Sequence, residues 1–351
     1  MRRFILVILF VCQCTVLFAE PLRIGTTYSP RQSEYMDMDW RQTYLAVLDE
    51  GFAIIRLGAY WDEIEKRENS YDFSSLDWQL KEAREREIPV VLTVGMKAPR
   101  WPEYFIPEWV LEKTNLPFGA DVSKSAFLRE RTLKFIKKVV EHYKENPNIH
   151  YWQVENEPMD RMGEKYWFIG KDFLRQEVEL VRSLDEANRP ILLTAATYPN
   201  KILRFITRLF LWHDPVKESL AIGDIIGLNI YPVIGRKFWF GNVYFRVGPE
   251  EHAAYFPKLV ASIEKRGLKV WLTELQAEPW EPGQLVYKQK ARPPSGDPEL
   301  AMEVLREFHE LGVDTVLLWG AEYWLYRAQH HGDAEWQDTV REILKNKANQ
   351  D

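Results

Sequence analysis

Eight short apolar runs, each followed by a longer amphipathic stretch, constrain this chain more than any other feature. The runs are 22–27, 53–58, 89–95, 149–155, 191–196, 224–231, 269–274 and 313–319. They are rich in Ile, Val and Leu without strict alternation, which is the pattern of parallel strands covered on both faces. Between them the apolar residues recur at helical spacing. The clearest case is 125–145, where Leu128, Thr132, Phe135, Ile136, Val139 and Tyr143 share one face and Arg, Lys and Glu fill the other. Further helices are expected near 35–50, 75–87, 170–188, 201–213, 249–266, 298–311 and 336–347. Eight strands, each followed by a helix, predict an α/β fold in the form of a (β/α)₈ TIM barrel, as a single domain from about residue 20 to 351. A doubly wound sheet would want a Gly-rich phosphate turn after an early strand, and the sequence has none. The stretch 201–213 is basic and amphipathic, but the helix count needs it as the fifth outer helix rather than as a membrane-surface element.

Residues 1–19 read as a signal peptide. Arg2 and Arg3 precede an apolar stretch, 4–18, broken only by Gln13 and Thr15. Cleavage is expected after Ala19, although Leu17 is bulkier than the small residue preferred there, so an uncleaved N-terminal anchor is the alternative and the one expected membrane contact. Both cysteines, Cys12 and Cys14, fall in this stretch. The remainder therefore has no thiol for a metal or a nucleophile, and a domain of this size needs no disulfide. The expected location is secreted or extracytoplasmic, in the periplasm or cell envelope.

Lys and Arg number 46 against 52 Asp and Glu, a net charge of −6, which speaks against a nucleic-acid partner. The seven His show no metal-ligand spacing, and neither a Gly-x-Ser-x-Gly elbow nor a phosphate loop is present. No metal and no organic cofactor is implied. Core packing absorbs many of the 14 Trp, 16 Tyr and 18 Phe, and so many Trp in one chain also point to flat apolar surfaces for a ligand.

Two glutamates stand out by position. Glu157 follows the fourth run and Glu274 closes the seventh. Carboxylates at the ends of parallel strands face the mouth of a barrel, and strands four and seven lie on opposite sides of an eight-strand ring. Hydrolysis of a glycosidic bond needs two such carboxyls.

At these residues the chain resembles the clan A glycoside hydrolases, especially the cellulase-like family 5 and its relatives. The likeness is carried by Asn156-Glu157-Pro158, by Glu274, by the run from Arg56 to Trp61 with Tyr71 to Asp77 and Ala83 behind it, and by Trp319. It spans residue 23 to about 345. The resemblance implies retaining hydrolysis of β-glycosides, with Glu157 as acid/base and Glu274 as nucleophile. It implies that Asn156 bonds the sugar hydroxyl next to the anomeric carbon, that Arg56 and Tyr231 attend Glu274, and that Trp319 floors the sugar site. Trp61, Trp101, Trp239, Trp280 and Trp324 follow strand ends and are expected at the rim as sugar platforms. Trp40, Trp78 and Trp271 are expected in the core. Two departures from family 5 are visible: Asn229 stands where a His is usual, and the third strand end, Thr93 to Trp101, carries no His.

The segments 96–124, 232–248 and 278–298 read as long loops on the rim, which favours an oligo- or polysaccharide substrate and endo action. A catalytically silent carbohydrate-binding barrel and a transglycosylase using the same two glutamates are the alternative functions. The sequence is silent on the sugar, the linkage and the oligomeric state.

Overall fold

The structure is a computed structural model that describes residues 21–348, except 162, 198–199, 201–203, 206–208, 210–213 and 283–286. Eight parallel strands close a barrel: β1 (Arg23–Thr27), β2 (Ile55–Gly58), β3 (Val90–Val94), β4 (Ile149–Val154), β5 (Ile191–Ala196), β6 (Ile225–Ile230), β9 (Lys269–Gln276) and β10 (Thr315–Trp319). β6 pairs with β9 and β10 closes onto β1. Each strand falls within or beside the run predicted for it.

The outer layer holds α1 (Trp40–Leu48), α2 (Ser74–Glu85), α3 (Ala126–Tyr143), α4 (Lys171–Leu184), α5 (Pro215–Ser219), α6 (Pro249–Glu264), α7 (Pro298–Glu310) and α8 (Glu335–Ala348). Ser125 caps α3 by accepting from the Leu128 N–H, and the six residues expected on its inner face are all buried. Asp297 caps α7 in the same way, with Pro298 at its first position. Most of 201–213, the predicted fifth helix, and the predicted signal segment lie outside the described residues; the described helix before β6 is the short α5.

The segment 232–248, expected as a loop, is instead a β-hairpin of β7 (Val233–Phe238) and β8 (Gly241–Arg246). Val233, Ile234, Val243, Tyr244 and Phe245 are strand formers, and Gly241 at φ +136° supplies the turn. The hairpin leans on the next long loop, where Gly235 N–H donates to Trp280 O.

The floor of the barrel is packed by Ile54, Val91, Leu192, Ile225, Trp271 and Leu317. Trp271 is core as expected. Trp40 and Trp78, half-buried, pack edge to face at 5.3 Å between α1 and α2.

Two rim assignments are corrected. Trp61 is fully buried: it opens a short helix, Trp61–Ile64, that turns its ring onto Phe135 of α3 at 5.3 Å, and its Nε1 donates to Glu65. Trp324 is also core, stacked on Trp336 of α8, with Nε1 donating to Ala277 O. In both cases the chain reverses onto the helix layer directly after the strand.

A Trp61→Ala variant should therefore lose about 3–5 kcal/mol of stability by cavity formation and lost burial. Urea denaturation measures this; a loss below about 1 kcal/mol would show that the ring is not part of the core.

Candidate active site

The C-terminal ends of the barrel strands gather most of the side chains singled out in the sequence. Glu274 lies in β9 and is 3% exposed. Its Oε1 accepts from Arg56 Nη2 at 2.7 Å, and its Oε2 accepts from the Tyr231 hydroxyl at 2.6 Å. Arg56, on β2, is completely buried and is aimed by Thr27 Oγ1 at 2.8 Å and Gln153 Oε1 at 3.2 Å. A buried guanidinium costs several kcal/mol in desolvation and persists only with a full set of acceptors, of which the Glu274 carboxylate supplies the compensating charge. Burial and then the charge of Glu274 push the Tyr231 hydroxyl well above its ordinary range, so it stays a donor.

Glu157 sits just past the end of β4 and is 7% exposed. Its backbone adopts φ +44°, a left-handed conformation that costs a non-glycine residue roughly 1–2 kcal/mol. The site holds it there by three contacts. Its N–H donates to Thr194 Oγ1 at 2.9 Å, its carbonyl accepts from Lys97 Nζ at 2.8 Å, and its Oε1 accepts from Asn229 Nδ2 at 2.7 Å. Burial, followed by the negative charges of Glu274, Asp160 and Glu103, raises its carboxyl well above the usual range; Lys97 opposes this in part. Lys97 is itself buried and remains charged. Burial disfavours its ammonium, but Glu103, which it meets at 2.8 Å, together with Glu157 and Asp160 outweighs that penalty.

Asn229 joins the two halves of the site. It lies in β6 opposite Glu274 in the strand register, and its amide reaches Glu157. Thr273 Oγ1 donates to Asn229 Oδ1 at 2.6 Å, which fixes the amide so that its N–H₂ faces Glu157. Asn156 is 2% exposed; its Oδ1 accepts from Gln153 and Thr194, so its own N–H₂ is turned the other way.

Trp319 ends β10 at the mouth and is 8% exposed. The Arg100 guanidinium lies 4.1 Å from its ring and that of Arg56 5.8 Å. Arg100 is held in turn by Glu278 at 2.6 Å and Glu322 at 2.7 Å. Of the rim tryptophans, Trp280 packs edge to face on Tyr231 at 4.7 Å and so borders the site. Trp101 is 63% exposed after β3, and Trp239 is 95% exposed at the hairpin tip.

Gln153, Thr194, Lys97 and the contact made by Asn229 were not read as functional from the sequence. Asn229 carried a signal, as a departure from the usual His. The others are ordinary polar residues until the barrel closes around them. A cavity of about 460 Å³ also lies between segments 30–40 and 58–79, but neither glutamate lines it, and Arg31, Asp62 and Glu63 on its wall already bond to one another. Among the described residues no His, Cys, Asp and Glu group could hold a metal ion.

Comparison with known proteins finds similar glycosidases. Residues 27–187 match the glycoside hydrolase family 42 β-galactosidases. A β-galactosidase of Halorubrum lacusprofundi is 23% identical over 146 residues, 39% of this chain and 20% of that protein. The chain thus spans a small part of the curated relatives it matches. The β-galactosidase of the psychrophilic Marinomonas ef1 superposes with a TM-score of 0.62 at 13% identity, covering 92% of this chain and 59% of the other. An endo-β-1,4-xylanase of family 10 from Gloeophyllum trabeum superposes with a TM-score of 0.53 at 16% identity, covering 86% and 85%. The resemblance to the clan A (β/α)₈ glycoside hydrolases therefore holds.

Removing the Asn229 donor takes away a hydrogen bond that favours the ionised form of Glu157. In an Asn229→Ala variant the Glu157 carboxyl should titrate at higher pH than in the wild type, as followed by carboxyl ¹³C NMR with Glu157→Gln for assignment. A midpoint that stays or falls would contradict the contact.

Proposed function

We propose that the chain is a retaining β-glycosidase that uses Glu274 as nucleophile and Glu157 as acid/base, with β-galactosides as its first class of substrate. The observation that carries this reading is the opposed treatment of two close, buried carboxyls. Glu274 receives a guanidinium and a phenol, while Glu157 receives an amide and is pushed toward its protonated form. Such a division of roles is what double displacement requires.

In the first step a Glu274 oxygen attacks the anomeric carbon, the bond to the leaving oxygen breaks, and Glu157 gives that oxygen its proton. In the second step Glu157 takes a proton from water, the water oxygen bonds to the anomeric carbon, and Glu274 is released. Arg56 and Tyr231 supply charge and hydrogen bonding to Glu274 both before attack and after release. Asn156, with Oδ1 fixed, offers its N–H₂ to the sugar hydroxyl beside the anomeric carbon. Trp319 and Trp280 border the sugar.

The retaining reading rests on the resemblance and on the different partners of Glu274 and Glu157, and it expects the two carboxyls about 5–5.5 Å apart. The β-galactoside preference is drawn from the named relatives. The hairpin 233–246 and the long segment after β9 build up one side of the mouth, and we read them as support for an extended, endo-accessible substrate.

The test is kinetic. Glu274→Gln should lower kcat about 10³-fold or more on every aryl β-galactoside. In kcat/KM, which reports the first step, Glu157→Gln should lose about 10²–10⁴-fold on substrates with poor leaving groups and far less on a dinitrophenyl galactoside, whose departure needs no proton, while its kcat falls on both because release of the sugar still needs the base. Near-normal rates in either variant on a poor leaving group would overturn the assignment.

A further inference from the structure

Glu155 and Glu177 are two fully buried acids that the chemistry above does not use. Glu155 lies two residues before Glu157 at φ +59°, so the turn from β4 to the acid/base is left-handed twice over. Its carboxylate is clasped by the loop after β3: Oε1 accepts from the Met96 N–H at 2.8 Å and Oε2 from the Lys97 N–H at 2.6 Å. Gly95 makes room for it, since a Cβ there would fall 2.1 Å from Glu155 Oε1. The same loop grips the next two residues. Asn156 N–H donates to Lys97 O at 2.8 Å, and Lys97 Nζ donates to Glu157 O at 2.8 Å.

Glu177 projects from α4 and meets Glu155 carboxyl to carboxyl. Neither of its oxygens has an N–H or O–H donor among the described residues. Two carboxylates repel; a hydrogen bond between two carboxyls needs a proton. Glu155 already has two backbone donors that favour its ionised form, so the proton belongs to Glu177.

We propose that Glu177 is a positioning residue, a neutral carboxylic acid that donates to the Glu155 carboxylate and thereby ties α4, the β3 loop and the end of β4 into the mount that presents Glu157. Its effect on rate rests on the hydrolytic reading above; the shared proton does not.

The groups facing the pair are the Lys97 ammonium, which attracts Glu155, and the Tyr104 hydroxyl. Burial pushes Glu155 to about 7 and Glu177 well above the usual carboxyl range. Because the folded values are raised, the stability linked to the pair is fully present below the unfolded carboxyl value. It is lost as pH rises through the folded values.

The test compares Glu177→Gln, which keeps a donor at that position but cannot ionise, with Glu177→Leu, which keeps the bulk and removes the donor. Tm is measured from about pH 5 to 9, and kcat and KM on an aryl β-galactoside. Glu177→Gln should retain wild-type kcat, and its Tm should fall less steeply with rising pH than that of the wild type. Glu177→Leu should lose about tenfold to hundredfold in kcat with little change in KM, as expected for a displaced catalytic group. Equal Tm slopes in wild type and Glu177→Gln, or full kcat in Glu177→Leu, would overturn the proposal. If Glu177→Leu does not fold, the Tm slopes of the other two proteins decide. If the wild type cleaves no glycoside, the functional reading fails while the Tm comparison still decides whether the proton is shared.

Discussion

The structure turns on one buried ion pair, Arg56 with Glu274. Both partners come from barrel strands and are shut off from water, so neither charge is tolerable without the other. Arg56 consumes Thr27 and Gln153 to satisfy its remaining donors, and Gln153 in turn reaches Asn156 and the carbonyl of Glu155. Compensation of one carboxylate thus sets the positions of side chains on four strands and on the loop that carries Glu157. The asymmetry between the two glutamates follows from the same fact. The single guanidinium that reaches the pair is spent on Glu274, and Glu157 is left among negative neighbours.

The mouth of the barrel carries more acid than its chemistry needs, and each acid is managed differently. Glu103 is paired with Lys97, Glu278 and Glu322 share Arg100, and Glu155 shares a proton with Glu177. These arrangements leave the Glu157 carboxyl bonded to the Asn229 amide, while the Lys97 ammonium is spent on the Glu157 carbonyl and on Glu103. They also explain why basic residues as buried as Lys97 and Arg100 sit on loops, where an exposed side chain would be the ordinary outcome.

The barrel was largely legible because parallel strands buried on both faces write continuous apolar runs, and each of the eight runs matches a strand. The two glutamates were legible because a strand end in such a barrel has a defined orientation. Orientation past the strand end was not. Trp61 and Trp324 follow β2 and β10 as a rim residue would, yet each begins or lies in a short helix that folds back on the outer layer. The hairpin 233–246 was hidden because its alternation is short and its tip, Phe238 to Phe240, is aromatic where a turn is normally polar. Gln153, Thr194 and Glu177 gave no signal, since an amide, a hydroxyl or a helix glutamate becomes functional only through what tertiary packing places beside it.

The most direct measurement is to trap the intermediate. Incubation with an activated β-galactoside bearing fluorine on the carbon next to the anomeric centre slows release of the sugar more than its capture. Peptide mass spectrometry should then find one fluorosugar bonded to Glu274, with turnover abolished in proportion to labelling. Labelling of another residue, or continued glycoside cleavage with no covalent adduct at all, would contradict a nucleophile held by Arg56 and Tyr231.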